Sequence, residues 1–102
     1  MIGNLRIWDV AIGKLIANTQ AHEENMHIRG LCTTRDGRMI ATGSLDYNIK
    51  LWDASTLNHL ATLKGHTDTV YAVAATYDSK MIVSVSGDKT LKIWNLQSFR
   101  EL

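Results

Sequence analysis

The chain has 102 residues, 45% of them hydrophobic and 21% charged, enough apolar content for a folded core and too much for intrinsic disorder. Eleven basic against ten acidic residues leave a net charge of +1, with the signs interspersed, so composition gives no electrostatic ground for binding nucleic acid or an anionic membrane. Cys32 is the single cysteine, which excludes an intramolecular disulfide framework and fits a reducing compartment, cytoplasm or nucleus.

The first residues, Met1 to Arg6, lack the basic start and continuous apolar run of a signal peptide, and glycine stands third where myristoylation needs it second. No apolar run approaches the roughly 20 residues of a membrane helix, so the expectation is a soluble chain with no membrane partner. Short alternating or β-branched segments then follow one another, separated by Gly, Asn, Asp and Ser clusters, which is the pattern of strands joined by tight turns. Strands are predicted at about 4–9, 14–19, 27–34, 39–44, 48–53, 58–64, 70–76, 81–86 and 90–95, with a stub at 99–102. Asp36-Gly37 and Asp78-Ser79 stand where short loops need residues tolerant of turn dihedrals. The absence of proline removes the residue most disruptive to sheet pairing.

The strand endings repeat. Leu5-Arg6-Ile7-Trp8-Asp9, Ile49-Lys50-Leu51-Trp52-Asp53 and Leu91-Lys92-Ile93-Trp94-Asn95 place tryptophans 44 and 42 residues apart. Self-similarity at about 40–45 residues marks repeat architectures whose units do not bury their apolar faces alone. Asp46 to Trp52 and Asp88 to Trp94 are both six residues, whereas His22 to Asp46 is 24 and His66 to Asp88 is 22. Every anchor from Ile28 and Val70 onward aligns at an offset of 42, so the two extra residues fall in a lengthened loop at Glu23-Glu24-Asn25-Met26-His27.

Gly65-His66, the turn aspartates Asp46 and Asp88, and the closing pairs Trp8-Asp9 and Trp52-Asp53 resemble the WD40-repeat β-propeller family over nearly the whole chain. Ala21-His22 and Trp94-Asn95 are mild departures from the family's Gly-His and Trp-Asp. The resemblance implies an all-β fold, a partial β-propeller of about two and a half four-stranded antiparallel blades. It divides the chain into 1–20, the last two strands of an incomplete WD repeat; 21–64, a WD repeat; and 65–102, a WD repeat truncated at its C-terminus. It also implies two structural hydrogen-bond sets, His22, Thr42, Asp46 and Trp52, then His66, Ser84, Asp88 and Trp94, with Ser44 and Ser86 as alternative hydroxyls.

Ser, His and Asp within one repeat also suggest a hydrolase. Duplication of the whole set with a tryptophan, and the lack of a Gly-x-Ser-x-Gly elbow, point instead to structural repetition, so no catalytic residue is assigned. His22, Glu23, Glu24, His27 and Cys32 do not follow a zinc spacing, and neither metal nor cofactor is expected. Cys32 reads as a small buried residue and His59 as solvent-facing on an outer strand. The tryptophans, flanked by apolar residues without a basic groove, read as core rather than as base-stacking platforms.

The resemblance further implies a non-enzymatic protein-interaction scaffold that binds a protein or peptide through loops at one end of the blades, although fold alone does not establish that role. The candidates on those loops are Glu23, Glu24, Met26, Tyr47, Asp68 and Lys89, with Tyr47 and Met26 foremost because exposed aromatic and adaptable apolar side chains carry interface energy. Glu23 and Glu24 give the lengthened loop an acidic lip suited to a basic peptide. Closure takes four to eight blades, so the expectations are a fragment of a longer propeller, a product that self-associates or is completed by further blades, or a degenerate remnant.

Overall fold

A computed structural model describes residues 27–102 in full, together with the backbone of two strands at 4–9 and 14–20. Those two, β1 (Asn4–Asp9) and β2 (Lys14–Gln20), form an antiparallel pair. A first four-stranded sheet follows in chain order: β3 (Ile28–Thr33), β4 (Met39–Ser44), β5 (Ile49–Asp53) and β6 (His59–Leu63). A second is built the same way from β7 (Val70–Ala75), β8 (Met81–Ser86), β9 (Leu91–Asn95) and β10 (Arg100–Glu101). All pairings are antiparallel, and within each sheet the strands pair in chain order. The sequence-predicted stub at 99–102 is the two-residue fourth strand of the second sheet.

The two sheets repeat one another in detail. Each inner strand slips register once, between Ile28 and Gly30 in β3 and between Val70 and Ala72 in β7. A bulge of this kind bends the strand and re-aims the residue it skips, here Arg29 and Tyr71. Thr34 and Thr76 each bond an aspartate two residues on, Asp36 and Asp78, at 2.7 Å in both turns. Those turns need a left-handed residue, which Gly37 (φ 74) supplies in one and Ser79 (φ 61) in the other.

The sheets stack face to face. Ala41, Ile49, Leu51 and Leu63 of the first meet Val70, Val73, Ile82 and Trp94 of the second, and β3 and β4 pack directly on β7. Each fully buried aliphatic side chain there contributes about 1.5–3 kcal/mol relative to exposure. Two glycines set the approach distance: a Cβ on Gly30 would lie 2.8 Å from Ala72 Cα, and one on Gly43 would lie 2.6 Å from Val70 Cγ1. The stack is pinned at the β3–β4 and β7–β8 turns, where Asp36 N–H donates to Ser79 Oγ at 3.0 Å and the Arg35 guanidinium sits 4.0 Å over the Tyr77 ring.

A smaller apolar cluster, Ile28, Ile40, Trp52 and Leu57, fills the other face of the first sheet. His59, read from sequence as solvent-facing, is exposed but also lies 5.1 Å from Trp52 ring to ring, with Nε2 3.0 Å from Thr62 Oγ1. Cys32 is half-buried against the main core, and burial pushes its thiol up from the ordinary range.

Candidate functional site

The polar centre of the second sheet is assembled from a loop, two strands and a turn. Val70 opens β7 directly after the loop that carries His66, β8 carries Ser84, the β8–β9 turn carries Asp88, and β9 carries Trp94 one residue before its end. Trp94 Nε1–H donates to Ser84 Oγ at 2.9 Å, Ser84 Oγ stands 2.7 Å from His66 Nε2, and His66 Nδ1 stands 2.9 Å from Asp88 Oδ2. Every donor finds an acceptor when the indole donates to the serine, the serine to Nε2 and Nδ1–H to the carboxylate, so the network itself selects the Nδ1–H tautomer. Asp88 also accepts from the Thr67 N–H at 3.0 Å, the Thr90 N–H at 2.9 Å and the Thr90 hydroxyl. The Thr90 hydroxyl above all, with the His66 ring and the backbone amides, holds the Asp88 carboxyl well below the usual carboxylate range.

In the first sheet Trp52 Nε1–H donates to Thr42 Oγ1 at 3.0 Å, and Asp46 Oδ1 accepts from Asn48 N–H at 3.0 Å. His22 lies outside the described residues. Of the two hydroxyls open in each strand, the indoles use Thr42 and Ser84. Ser44 and Ser86 instead donate to backbone carbonyls, those of His27 and Asp68, at 2.9 and 3.0 Å.

Asp53, which follows Trp52, accepts from Ser55 N–H, the Ser55 hydroxyl and Thr56 N–H, so the pair closes the strand and caps the next turn. Asn95, in the equivalent place, accepts from Gln97 and Ser98 N–H at 2.7 and 2.9 Å. An amide oxygen replaces a carboxylate oxygen there without changing the turn, which is why the departure from Trp-Asp is tolerated.

Ser84, His66 and Asp88 have the order and distances of a nucleophile, base and orienting acid, but not the access. Ser84 is 0% exposed, Trp94 is 2% exposed, and the indole N–H occupies the serine oxygen that would attack a substrate. A catalytic nucleophile must reach a carbonyl within about 3–3.5 Å, and this one meets only protein. Among the described residues no group of three His, Cys, Asp or Glu side chains converges as metal ligands would.

The accessible chemistry lies at the end of the sheets formed by the β4–β5 and β8–β9 turns and the loop before β7. Tyr47 is 47% exposed and Lys89 is exposed, both at left-handed φ, 72 and 71. Non-glycine residues are strained there, and both turns are held by an N–H of the following residue on the aspartate, Asn48 on Asp46 and Thr90 on Asp88. Asp68 is exposed, with Oδ1 accepting from Thr69 N–H at 2.7 Å. Glu23, Glu24 and Met26 lie outside the described residues.

Tyr71 was not among the sequence candidates, yet it is 57% exposed beside them: a Cβ on Gly87 would lie 2.9 Å from Asp68 Oδ2 and 3.2 Å from Tyr71 Cε2. The skipped register between Val70 and Ala72 turns Tyr71 towards the loops. Its signal in the sequence was the hydrophobic pattern of Val70-Tyr71-Ala72-Val73, which breaks strict alternation at Tyr71.

The WD domain, G-beta repeat family model matches residues 13–53 and 57–95, so each matched unit starts on the outer strand of one sheet and ends on the Trp-Asp or Trp-Asn strand of the next. Among curated proteins, the nuclear distribution protein PAC1-2 of Uncinocarpus reesii is 51% identical over 74 residues, 71% of this chain and 16% of that protein. The peroxisomal targeting signal 2 receptor of Mus musculus is 31% identical over 72 residues, 69% of this chain and 22% of that protein. The chain thus spans about a fifth or less of these relatives. The solved structures of U3-55K and of the RRP9 WD40 repeats superpose with a TM-score of 0.91 over 98% of this chain, about a third of theirs, at 24% identity, a likeness of fold. The chain belongs to the WD40-repeat family, and its two four-stranded sheets are blades of a β-propeller.

Proposed function

We propose that the chain is a non-catalytic protein-interaction module, forming adjacent blades of a larger propeller and binding a protein or peptide through the loop end. The repeat units on this reading are 1–20, 21–64 and 65–102, each His, hydroxyl, Asp and Trp set serving as the internal brace of one blade. The observation that carries it is the division of labour at that end. The one Ser-His-Asp arrangement among the described residues is sealed and spent on Trp94, whereas Tyr47, Tyr71, Asp68 and Lys89 are exposed. An exposed tyrosine beside a carboxylate, Tyr71 beside Asp68, suits a ligand with both apolar and basic groups, and the sequence carries two further carboxylates, Glu23 and Glu24, in the segment before β3. A cytoplasmic or nuclear location accords with the lone cysteine.

A fluorescence-anisotropy titration with lysine-rich and glutamate-rich decapeptides tests the reading. Binding of a basic peptide should weaken about tenfold or more in Tyr47→Ala and in Asp68→Lys, a loss typical of an interface anchor. Glu23→Lys with Glu24→Lys should weaken it as well. Asp36→Ala, at the opposite end of the sheets, should leave it unchanged. Equal loss in all of these variants, or none, would remove the loop end as the binding surface.

A further inference from the structure

We infer that the loop end, taken as the binding surface proposed above, reads a peptide segment that carries one acidic and one basic side chain close together. Arg29 takes the carboxylate, Asp68 takes the ammonium, and Tyr71 packs between them. The two sheets copy one another except here. Both inner strands slip register at the same place, and the bulges present Arg29 on β3 and Tyr71 on β7. A bulge re-aims a side chain whatever that side chain is. At the offset of 42 that aligns the turn threonines and the indole acceptors, Arg29 corresponds to Tyr71, Met26 to Asp68 and Leu45 to Gly87. The braces repeat and these tip residues do not, so the sheet itself does not demand them.

Two close approaches set the three side chains in one row. A Cβ on Gly30 would lie 2.8 Å from Ala72 Cα, so β3 and β7 touch one residue further on, and Arg29 and Tyr71 leave the backbone side by side. A Cβ on Gly87 would lie 2.9 Å from Asp68 Oδ2 and 3.2 Å from Tyr71 Cε2, so carboxylate and ring edge converge over Gly87. The order is cation, ring, anion, and all three are exposed. Among the described residues the ion pairs are His66 with Asp88 and Lys92 with Glu101, so neither Arg29 nor Asp68 is spent within them. Asp68 Oδ1 accepts from Thr69 N–H at 2.7 Å, which leaves Oδ2 on offer. One oxygen suits the point charge of a lysine ammonium, whereas a guanidinium fork gains from two. The Arg29 guanidinium presents its own fork and matches a carboxylate. A uniformly basic segment is attracted at Asp68 and repelled at Arg29, and a uniformly acidic one the reverse; only a mixed pair satisfies both. Residues two apart on an extended segment share a face about 7 Å apart, which defines the probe.

Four fluorescein-labelled decapeptides test this on the full chain by anisotropy, each a Gly-Ser sequence centred on Glu-Ala-Lys, Lys-Ala-Glu, Lys-Ala-Lys or Glu-Ala-Glu. The tighter of the two mixed peptides should bind at least about fivefold better than either uniform one, since a repulsive charge contact replaces an attractive one. Arg29→Glu should move the preference to Lys-Ala-Lys, Arg29→Lys should keep it on the mixed peptide, and Arg38→Glu at the opposite end should change nothing. Should Arg29→Glu fail to fold by circular dichroism, Arg29→Gln serves instead and should abolish the advantage of the mixed peptide over Lys-Ala-Lys. An order of affinities that survives Arg29→Glu overturns the inference, as does a parent chain that prefers Lys-Ala-Lys or does not distinguish the four. A reversal produced by Lys89→Glu and not by Arg29→Glu assigns the carboxylate to Lys89 and overturns it too. In each of these cases, weaker binding of the lysine-rich peptide by Asp68→Lys would leave the loop end standing as the binding surface.

Discussion

Replacing Ser84 with alanine removes one oxygen that two buried groups share. Trp94 Nε1–H at 2.9 Å loses its acceptor and His66 Nε2 at 2.7 Å loses its donor, at a position with 0% exposure where no water replaces them. A buried polar group left unpaired costs about 1–3 kcal/mol, so the two together place Ser84→Ala about 2–6 kcal/mol below the parent chain. At roughly 4–8 °C per kcal/mol for a domain of this size, the melting temperature should fall by at least about 8 °C. Ser86→Ala is the matched control, because its hydroxyl serves the Asp68 carbonyl in an exposed setting where solvent substitutes. It should cost under about 1 kcal/mol. Thermal denaturation of the three chains by circular dichroism decides: equal shifts for Ser84 and Ser86, or a Ser84→Ala melt indistinguishable from the parent, would refute the shared-oxygen argument.

Other perturbations follow from the same geometry. Thr42→Val removes the acceptor of the Trp52 indole while keeping the side chain's shape, and should lower stability by about 1–3 kcal/mol in a urea melt, with Ser44→Val as comparison. Gly43→Val sets a side chain against Val70 where a Cβ alone comes within 2.6 Å, and should cost about 1–3 kcal/mol by overpacking, read as a lower urea midpoint. Lys89→Gly relieves a left-handed φ of 71 and should raise the midpoint by up to about 1 kcal/mol in the same assay. Asp88 is held below the usual carboxylate range in the folded chain, so its stabilising contribution is complete above the unfolded value near pH 3.9 and is lost as pH falls below it. Melting temperatures taken from pH 7 to pH 3 should therefore fall more steeply at the acid end for the parent than for Asp88→Asn.

Strand positions and turns were legible in the sequence because alternation and turn chemistry are local. Thr34-x-Asp36 and Thr76-x-Asp78 fold the same way for reasons contained within a few residues. The choice between Thr42 and Ser44, or Ser84 and Ser86, was not legible. Residues two apart on a strand share a face, and only the tilt of the tryptophan ring decides which hydroxyl it meets. Tyr71 was missed for a related reason, since a one-residue bulge turns a side chain out of the face that strict alternation assigns. The contact of His59 with Trp52 joins an exposed residue to a buried one across a register shift between Leu51 and Trp52, a feature periodicity does not encode. The neighbours that cover each face were hidden too: Ile49 and Leu91 look alike in sequence, yet one is sealed by a following sheet and the other is open.

The Ser-His-Asp arrangement braces a blade by holding an indole, and hydrogen exchange at the Trp94 Nε1 proton, followed by NMR, reads that bond itself. In the parent chain exchange should be as slow as that of the core amides of β8, with a large acceleration in Ser84→Ala under conditions where the chain remains folded. Exchange of the Trp94 indole at the rate of free tryptophan in the parent would contradict it.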